Sequence, residues 1–458
     1  MKSNQEPKIL SHFEDLKISS LTLNSLFDFG YKKMTSIQKI SIPYALKGND
    51  VLGSARTGSG KTLCFIIPII EVLWNQQWTK LDAVGACIIC PIRELAIQIF
   101  DFTKNLSKNH NLEIGLLIGG NKYKKKNYSI ISSTPGCLFS HLVNDKMLNL
   151  DSVKILAIDE ADKILDASFW RIINLMSKFL PKKKQILLFS ATLNSKIKNI
   201  ARLNLKNPIY CSLNSKNYSF DKAFSCELPR DTDQIKHFVV FFKHHEKINY
   251  LFSFLRSHKM QKIIIFFSTK TQVKFLSEIF KIICPDFIIF CAYGSMNQDK
   301  RITNFLKFNQ YSKGFLFSTD LTARGLDFKS IDWIIQFDCP QTIESYIHRV
   351  GRTGRFLESG KAILFLDYNE LKFVNMLDKN FIRIHHIKFN QKQMISVQLK
   401  LEILLKKNIN LLLLAQNAFI SYARFVYYQK NKKYSDFNSF DWKKIASSHG
   451  LSYSFLCN

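Results

Sequence analysis

The sequence has few of the features that mark secreted or membrane proteins. Its ten cysteines form no spaced framework, and its one C-x-x-C pair, Cys87 and Cys90, lies in an apolar run. In a strand, residues three apart point to opposite faces, so this pair would not share a metal. We expect buried thiols in a reducing compartment. No uninterrupted apolar run approaches the ~18 residues of a membrane helix, and residues 1–8 are polar. These absences predict a soluble intracellular protein without a membrane partner.

Acidic residues are also scarce. The chain has 36 Asp and Glu against 65 Lys and Arg, a formal net charge of +29. Such an excess favours a polyanionic partner such as nucleic acid. The chain is also rich in Lys, Asn, Ile, Phe and Tyr, and an AT-rich coding sequence would produce part of the same charge. Composition alone leaves both explanations open.

The length and the hydrophobic pattern indicate more than one domain. A chain of 458 residues with 46% hydrophobic residues can bury two or three cores. Short apolar runs alternate with helical patterns in both halves, which is typical of parallel α/β sheets. We predict a first α/β domain at 1–213, a linker at 214–234, a second α/β domain at 235–380 and a helical C-terminal extension at 381–458.

A glycine-rich segment follows the apolar pair Val51-Leu52 and precedes a helical run. This order of strand, glycine loop and helix is typical of a phosphate cradle, in which Lys61 reaches the β- and γ-phosphate oxygens and Thr62 coordinates Mg²⁺. Ala55 replaces the usual first glycine, and a chance Gly/Ser loop is the alternative. The predicted ATP-binding loop comprises Ala55, Arg56, Thr57, Gly58, Ser59, Gly60, Lys61 and Thr62.

Two carboxylates come directly after the apolar run at 153–158, at the edge where parallel sheets place their chemistry. Asp159 can hold the magnesium ion, and Glu160 can orient the attacking water. A helix N-cap is the alternative reading. The position, about 100 residues after the glycine loop, favours catalysis.

The second half contains a cluster of His348, Arg349, Arg352 and Arg355 around two glycines. Three unpaired arginines so close together repel one another unless an anion arrives, and guanidinium forks suit the oxygens of a transferring phosphoryl group. A solvated loop is the alternative.

Together these segments resemble the DEAD-box family of ATP-dependent RNA helicases. The resemblance covers about residues 13–450, and the sequence Asp-Glu-Ala-Asp at 159–162 gives the family its name. It implies two tandem RecA-like P-loop NTPase domains of helicase superfamily 2. It also implies an RNA-dependent ATPase that uses ATP and Mg²⁺ for local RNA duplex unwinding or ribonucleoprotein remodelling.

The same resemblance assigns residue roles. Gln38 would read the adenine edge, Phe13 would pack on the adenine ring, and Asp327 would contact the ribose. Catalysis would fall to Lys61, Asp159, Glu160, His348 and the arginine fingers Arg352 and Arg355, with coupling to strand separation by Asp162, Ser190 and Thr192. The implied RNA-binding residues are Pro91, Arg93, Gly119, Gly120, Thr134, Gly136, Gln298, Arg301 and Thr319.

Three positions depart from the family pattern. Ile92 replaces a Thr, Cys137 replaces an Arg, and Tyr293 replaces a His. The first removes a hydroxyl and the second a charge-assisted contact near the RNA path, so both are expected to weaken RNA binding.

Residues 332–340 and 415–428 are similar to the nucleolar subgroup that acts in small-subunit ribosomal RNA maturation. This similarity implies pre-rRNA and small nucleolar RNA as partners, pre-ribosomal proteins as further partners, a nuclear and nucleolar location, and a monomer. The leucine and aromatic pattern of the extension favours packing against the second domain over RNA stacking by Arg424. The rival functions are a non-catalytic RNA clamp or assembly scaffold of the same fold, and a DNA-directed helicase.

Overall fold

Two parallel β-sheets organise the part of the chain that the structure, a computed structural model, describes. The chain divides into two compact units, Met1–Pro229 and Arg230–Asn458. The division falls within the predicted linker at 214–234, which lies outside the described residues, so the predicted domain bounds stay a prediction. The described residues are 11–55, 58–79, 81–119, 127–144, 148–164, 167–191, 205–212, 235–322, 326–354, 359–380, 382–388, 392, 394–428 and 437–452.

The sheet of the first unit has seven parallel strands in the order β3-β4-β2-β5-β6-β1-β7. The strands are β1 Val51–Ser54, β2 Ala86–Ile89, β3 Ile114–Leu117, β4 Ile130–Ser133, β5 Ile155–Ile158, β6 Gln185–Ser190 and β7 Ile209–Ser212. The helices are α1 Ser20–Asp28, α2 Ser36–Leu46, α3 Lys61–Asn75, α4 Arg93–Leu106, α5 Pro135–Asn144, α6 Ala161–Ile164 and α7 Ala167–Met176. The central strands are buried along their length because helices cover both faces of a parallel sheet.

The sheet of the second unit has the order β10-β11-β9-β12-β13-β8-β14, also all parallel. Its strands are β8 Ile235–Phe241, β9 Lys262–Phe266, β10 Ile289–Ala292, β11 Gly314–Ser318, β12 Trp333–Gln336, β13 Gly360–Leu366 and β14 His385–His386. Its helices are α8 Lys247–Ser257, α9 Lys270–Ile283, α10 Gln298–Gln310, α11 Ile343–Val350 and α12 Leu371–Lys379. Numbered from its own first strand, each sheet has the same strand order. The predicted pair of RecA-like α/β folds is confirmed.

Three further helices, α13 Gln398–Lys407, α14 Ile409–Tyr427 and α15 Trp442–Ser448, form the C-terminal extension. Leu401, Ala415 and Tyr422 of these helices are buried in the same hydrophobic cluster as Ile265 and Phe275 of the second unit. The predicted helical extension is therefore confirmed, and the aromatic and leucine pattern serves packing. The short edge strand β14 was not expected in a helical segment.

Among the described residues, α14 is the one helix long and apolar enough to cross a membrane by length and composition. Only 33% of that window is buried. Core helices of soluble proteins pass the same test, so the finding is weak evidence for a membrane span. Polar residues such as Gln416 and Asn417 interrupt the apolar sequence, in agreement with the absence of an uninterrupted run.

The eight cysteines within the described residues are all free. Burial raises the pKa of Cys87 to about 12 and the pKa of Cys90 well above its ordinary value. Both thiols are therefore neutral and buried, as the sequence predicted.

Candidate nucleotide and RNA sites

The glycine loop connects β1 to α3 in the first unit. Gly58 and Gly60 have φ angles of +80° and +84°, a left-handed backbone that glycine adopts without steric cost. A Cβ at Gly60 would lie 2.5 Å from Nε2 of Gln38. The Lys61 ammonium is buried and donates a hydrogen bond of 2.7 Å to the Ala55 carbonyl oxygen. Lys61 thus connects the first residue of the loop to the N-terminus of α3, where helix N–H groups favour an anion.

Gln38 links this loop to α2. Its Nε2 donates to the Gly60 carbonyl oxygen at 2.9 Å, while its Oε1 accepts from the Thr35 backbone N–H at 2.8 Å. Sequence reasoning missed this supporting role, since nothing in the spacing shows that residues 22 positions apart touch. The amide has a further donor and lone pair, so a contact to an adenine edge stays compatible with it. Phe13 is fully buried, and its backbone N–H donates to the Lys32 carbonyl oxygen.

The predicted coupling residue Ser190 lies beside the glycine loop. It ends β6, which pairs with β1 so that Ser190 is opposite Ser54, and its carbonyl oxygen accepts from the Ala55 N–H at 3.2 Å. This contact joins Ala55, the unusual first residue of the loop, to the segment predicted to couple hydrolysis to RNA. Arg56, Thr57 and Thr192 lie outside the described residues.

Asp159 and Glu160 directly follow β5, and both are buried. The Glu160 N–H donates to Oδ1 of Asp159 at 2.9 Å, and Glu160 has a φ of +49°. A left-handed backbone at a residue other than glycine is a strain found more often at functional sites than elsewhere. Oε2 of Glu160 is buried without a hydrogen-bond partner within the described ranges. Asp162, the second residue of α6, is buried as well.

Burial and the neighbouring Glu160 carboxylate raise the pKa of Asp159 to about 7, and Lys61 opposes the shift. A divalent cation would relieve this repulsion. Oxygen ligands from a carboxylate and a hydroxyl suit Mg²⁺, so Asp159 and the half-buried Thr62 fit the predicted metal.

The arginine cluster of the second unit differs from the expectation of three unpaired cations. Arg349 is buried and makes a bidentate ion pair with Asp320, with Nε–Oδ1 at 2.5 Å and Nη2–Oδ2 at 3.0 Å. That expectation was wrong for Arg349, because charge counted along the sequence cannot show a partner 29 residues away. The position of Asp320 just after β11, where carboxyl ends gather, was the available signal.

Arg352 and His348 are also buried in this cluster. Nε of Arg352 donates to the His348 carbonyl oxygen at 3.2 Å, and Nη1 donates to the Leu326 carbonyl oxygen at 2.5 Å. The neighbouring Asp327 is exposed, and its carbonyl oxygen accepts from Nδ2 of Asn309 at 3.0 Å. Arg355 lies outside the described residues.

The predicted RNA-binding residues of the first unit lie near the carboxyl ends of β2, β3 and β4. Gly119 packs so closely against the Arg93 guanidinium that a Cβ would collide with it, whereas nothing approaches the Cβ position of Gly136. Pro91 is buried, and the Thr134 N–H donates to the Leu117 carbonyl oxygen at 3.3 Å. Gly120 lies outside the described residues.

In the second unit, Gln298 and Arg301 share the first turn of α10, where Nη2 of Arg301 donates to Oε1 of Gln298 at 2.9 Å. The Thr319 N–H donates to the Ala292 carbonyl oxygen at 3.3 Å, after β11. Nζ of Lys274 lies 5.4 Å from the ring centre of Tyr293, the residue that replaces the usual His. Among the described residues, direct contacts therefore join Gln38 to Gly60, Gly119 to Arg93 and Gln298 to Arg301, and the roles of the other predicted residues stay predictions.

Three family models match the chain. The model for the DEAD/DEAH box helicase matches residues 35–200, and the helicase conserved C-terminal domain matches residues 246–357. The model for an ATP-dependent rRNA helicase SPB4-like C-terminal extension matches residues 408–453. The three matches follow one another in the order that the sequence predicted.

Curated relatives match over nearly the whole chain. "Probable ATP-dependent RNA helicase ddx10" of Dictyostelium discoideum is 40% identical over 449 residues, covering 96% of this chain and 50% of the relative. The human protein "Probable ATP-dependent RNA helicase DDX10" shows the same identity and coverage over 453 residues. "ATP-dependent RNA helicase DBP4" of Coccidioides immitis is 38% identical, covering 97% of this chain and 55% of the relative. The chain thus spans about half the length of the curated relatives it matches.

Solved structures show the same fold. Mss116p "bound to ssRNA and AMP-PNP" is 25% identical with a TM-score of 0.80, and the match covers 97% of this chain and 93% of that one. Mss116 "bound to ssRNA and UDP-BeF" gives a TM-score of 0.79 at 25% identity, with 97% and 94% coverage.

Proposed function

Because the chain belongs to the DEAD/DEAH box helicase family, we propose that it is an RNA-dependent ATPase that unwinds short RNA duplexes or remodels ribonucleoproteins. The observation that supports this most is the first unit's site, where one sheet edge holds the glycine loop, Lys61 and the buried pair Asp159 and Glu160. A clamp without turnover would have no need of a strained, buried Glu160.

In this proposal each residue has one task. The loop amides and Lys61 bind the phosphates of ATP, and Glu160 orients the attacking water through its buried carboxylate. Thr62 and Asp159 hold Mg²⁺, which supplies positive charge against the charge that develops on the phosphates. Arg352 and Arg355 stabilise the charge on the transferring phosphoryl group.

Support for an RNA substrate comes from the related Mss116 structures, which contain single-stranded RNA, and from the predicted RNA-binding residues. Backbone and 2′-OH contacts select RNA by shape, so no base sequence is implied. The replacements Ile92 and Cys137 bear on the strength of this binding and leave the ATP site unchanged.

We further propose a role in ribosomal RNA maturation, with pre-rRNA, small nucleolar RNA and pre-ribosomal proteins as partners of a monomer in the nucleolus. The supporting observation is the match of residues 408–453 to the extension of an rRNA helicase. Crosslinking the protein to RNA in cells and sequencing the bound fragments tests this proposal. Fragments from messenger RNA alone would contradict it.

A Glu160→Gln variant tests the reaction. It should bind ATP and RNA as the wild type does and lose nearly all turnover, because the amide fits the same space without the charge that polarises water. Phosphate release with and without saturating RNA is the measurement, with nucleotide and RNA affinities measured in parallel. Unchanged turnover would remove Glu160 from this role.

Two outcomes with the wild-type protein favour the rival functions. No ATPase activity at saturating RNA would indicate an RNA clamp or scaffold. Equal stimulation by single-stranded DNA and by RNA would indicate a DNA-directed helicase.

A further inference from the structure

An open groove of about 680 Å³ lies in the second unit, beside the edge where β14 pairs with β8. None of its lining residues belongs to the predicted ATP or RNA sites. Its volume is within the range of small-molecule and nucleotide pockets. The groove therefore needs an explanation that the helicase motifs do not provide.

One wall of the groove is a ladder of three aromatic rings. The ring centres of Tyr368 and Phe241 are 5.9 Å apart with planes inclined by 24°, and those of Phe241 and His386 are 5.7 Å apart with planes inclined by 20°. Tyr368, at one end, is 64% exposed. A nearly parallel ladder with an exposed terminal ring is a surface on which a further planar ring can stack.

The groove has a buried floor and a cationic side. Phe242 and Tyr250 on the floor are buried and pack with ring centres 5.2 Å apart. Exposed Lys388 and Lys392 line the side. Among the described lining residues the carboxylate is Glu246, which accepts a hydrogen bond of 3.1 Å from the Lys243 N–H of its own turn.

We propose that this groove binds single-stranded RNA, with a base stacked on Tyr368 and the adjoining phosphates near Lys388 and Lys392. Aromatic stacking beside lysines is how proteins hold single strands without reading sequence, since every base has a stacking face. An acidic peptide with an aromatic side chain is the competing occupant. The ladder favours RNA because it offers flat faces rather than an enclosed side-chain pocket, and the chain's net charge of +29 attracts a long polyanion.

This inference rests on the proposed RNA ligand and adds a contact outside the motif residues. Its probe is a fluorescein-labelled oligouridine, and binding to the full chain is followed by anisotropy at several salt concentrations. Tyr368→Ala should raise the Kd about 10-fold, because one stacking face is lost. Tyr368→Phe keeps the ring and should bind as the wild type does.

The cationic side is tested separately. Replacing both Lys388 and Lys392 with Gln should reduce the slope of log affinity against log salt by about 1.4, or 0.7 per phosphate contact.

Basal ATPase activity, measured without RNA, should be the same in all these variants because the groove contains no ATP-site residue. An unchanged Kd for Tyr368→Ala would overturn the inference and would favour the acidic peptide as the occupant of the groove. Arg301→Ala distinguishes this result from failure of the proposed function. If Arg301→Ala weakens RNA binding and Tyr368→Ala does not, only the groove assignment fails. If the wild type binds no RNA, both fail.

Discussion

The two units repeat one strand order and use the corresponding sheet edge in opposite ways. In each, the first strand leads into a helix that begins with a buried lysine, Lys61 after β1 and Lys247 after β8. In the first unit the connection is a glycine loop that can receive phosphates. In the second unit the connection is a short turn through His244, and no glycine separates β8 from α8. Equal topology therefore does not produce equal chemistry.

The partner of each lysine shows the difference. Nζ of Lys61 donates to a carbonyl oxygen of its own loop, a neutral group that a phosphate can replace. Nζ of Lys247 lies 3.5 Å from Oε2 of Glu370, and both side chains are almost fully buried. Lys247 is thus already paired with a carboxylate of its own unit.

The carboxylates that follow the fifth strand of each unit, counted along the chain, also differ in their surroundings. Asp159 follows β5 beside Glu160, whereas Asp338 comes two residues after β12. Burial raises the pKa of Asp338 and of Glu370, and Lys247 opposes both shifts. A buried lysine opposes the shift in both units, but in the second unit it also forms an ion pair with Glu370, whereas Asp159 in the first unit lies beside a second carboxylate, a repulsion that a metal can balance.

The C-terminal extension packs against the turn between β8 and α8, which corresponds in position to the glycine loop of the first unit. The Tyr422 hydroxyl of α14 and Nε2 of His244 are hydrogen-bonded at 2.6 Å, and Phe440 packs on the same imidazole. Both partners are buried. The edge that binds nucleotide in the proposed function of the first unit is thus, in the second unit, part of the core that holds the extension.

The largest effect that separates the two lysines is expected from Lys61→Ala. Loss of its charge should reduce ATP turnover about 10³-fold, because in the proposed function this ammonium binds the phosphates of ATP. Steady-state phosphate release at saturating RNA is the measurement. The fold should change little, since the lost partner is one backbone carbonyl; far-UV circular dichroism checks this. Retained turnover would show that the glycine loop is not the ATP site.

Lys247→Met should show the reverse pattern. Methionine preserves the volume but leaves Glu370 and Asp338 buried without a cation, which should lower the free energy of unfolding by about 3 kcal/mol. Chemical denaturation gives the total change, and hydrogen–deuterium exchange assigns it to the second unit. The folded protein should keep its ATP turnover.

The double variant Lys247→Met/Glu370→Gln is the matched control. The Gln carbonyl can still accept the Asp367 N–H, which donates to Oε2 of Glu370 at 2.8 Å, so the double variant should recover much of the lost stability. If the single and double variants are equally stable, the unpaired Glu370 carboxylate is not the cause of the lost stability.

Much of the fold could be predicted from the sequence because parallel strands leave unbroken apolar runs. The runs at 86–90 and 185–189 match β2 and β6 within one residue at each end. The strands β4 and β7 do not stand out as apolar runs, because β4 ends in two serines and β7 is flanked by polar, irregular sequence. Pairing with β2 and β1 makes them strands, and periodicity does not show such pairing.

The site residues could be predicted where they belong to one contiguous sequence motif. Lys61 and Asp159 stand out because loop and strand end are contiguous segments. The Gln38–Gly60 and Arg349–Asp320 contacts were not predicted, since each joins residues that are far apart in the sequence and meet only in the folded unit. The ion pair of Lys247 was missed for the same reason: neither residue belongs to a recognisable motif.

Asp159→Asn tests the smallest and most specific consequence, the contribution of one carboxylate of the first unit to the pH dependence of stability. The pKa of Asp159 is about 7 in the folded protein against an ordinary value of 3.8, so the folded state binds more protons between these values. The wild type should therefore lose stability as pH rises from about 4 to about 7, and remain lower above that. Asn carries no charge, so the variant should lack the contribution of Asp159 to this slope and should be more stable than the wild type at pH 8. Denaturation without Mg²⁺ and nucleotide, at pH 5 and pH 8, is the measurement, with exposed Asp151→Asn as the control. The same variant should lose Mg²⁺-dependent turnover, so that a more stable but inactive protein is the expected result.

Equal stability of wild type and variant at both pH values would contradict this prediction. It would show that the charge of Asp159 beside Glu160 costs the folded first unit no stability.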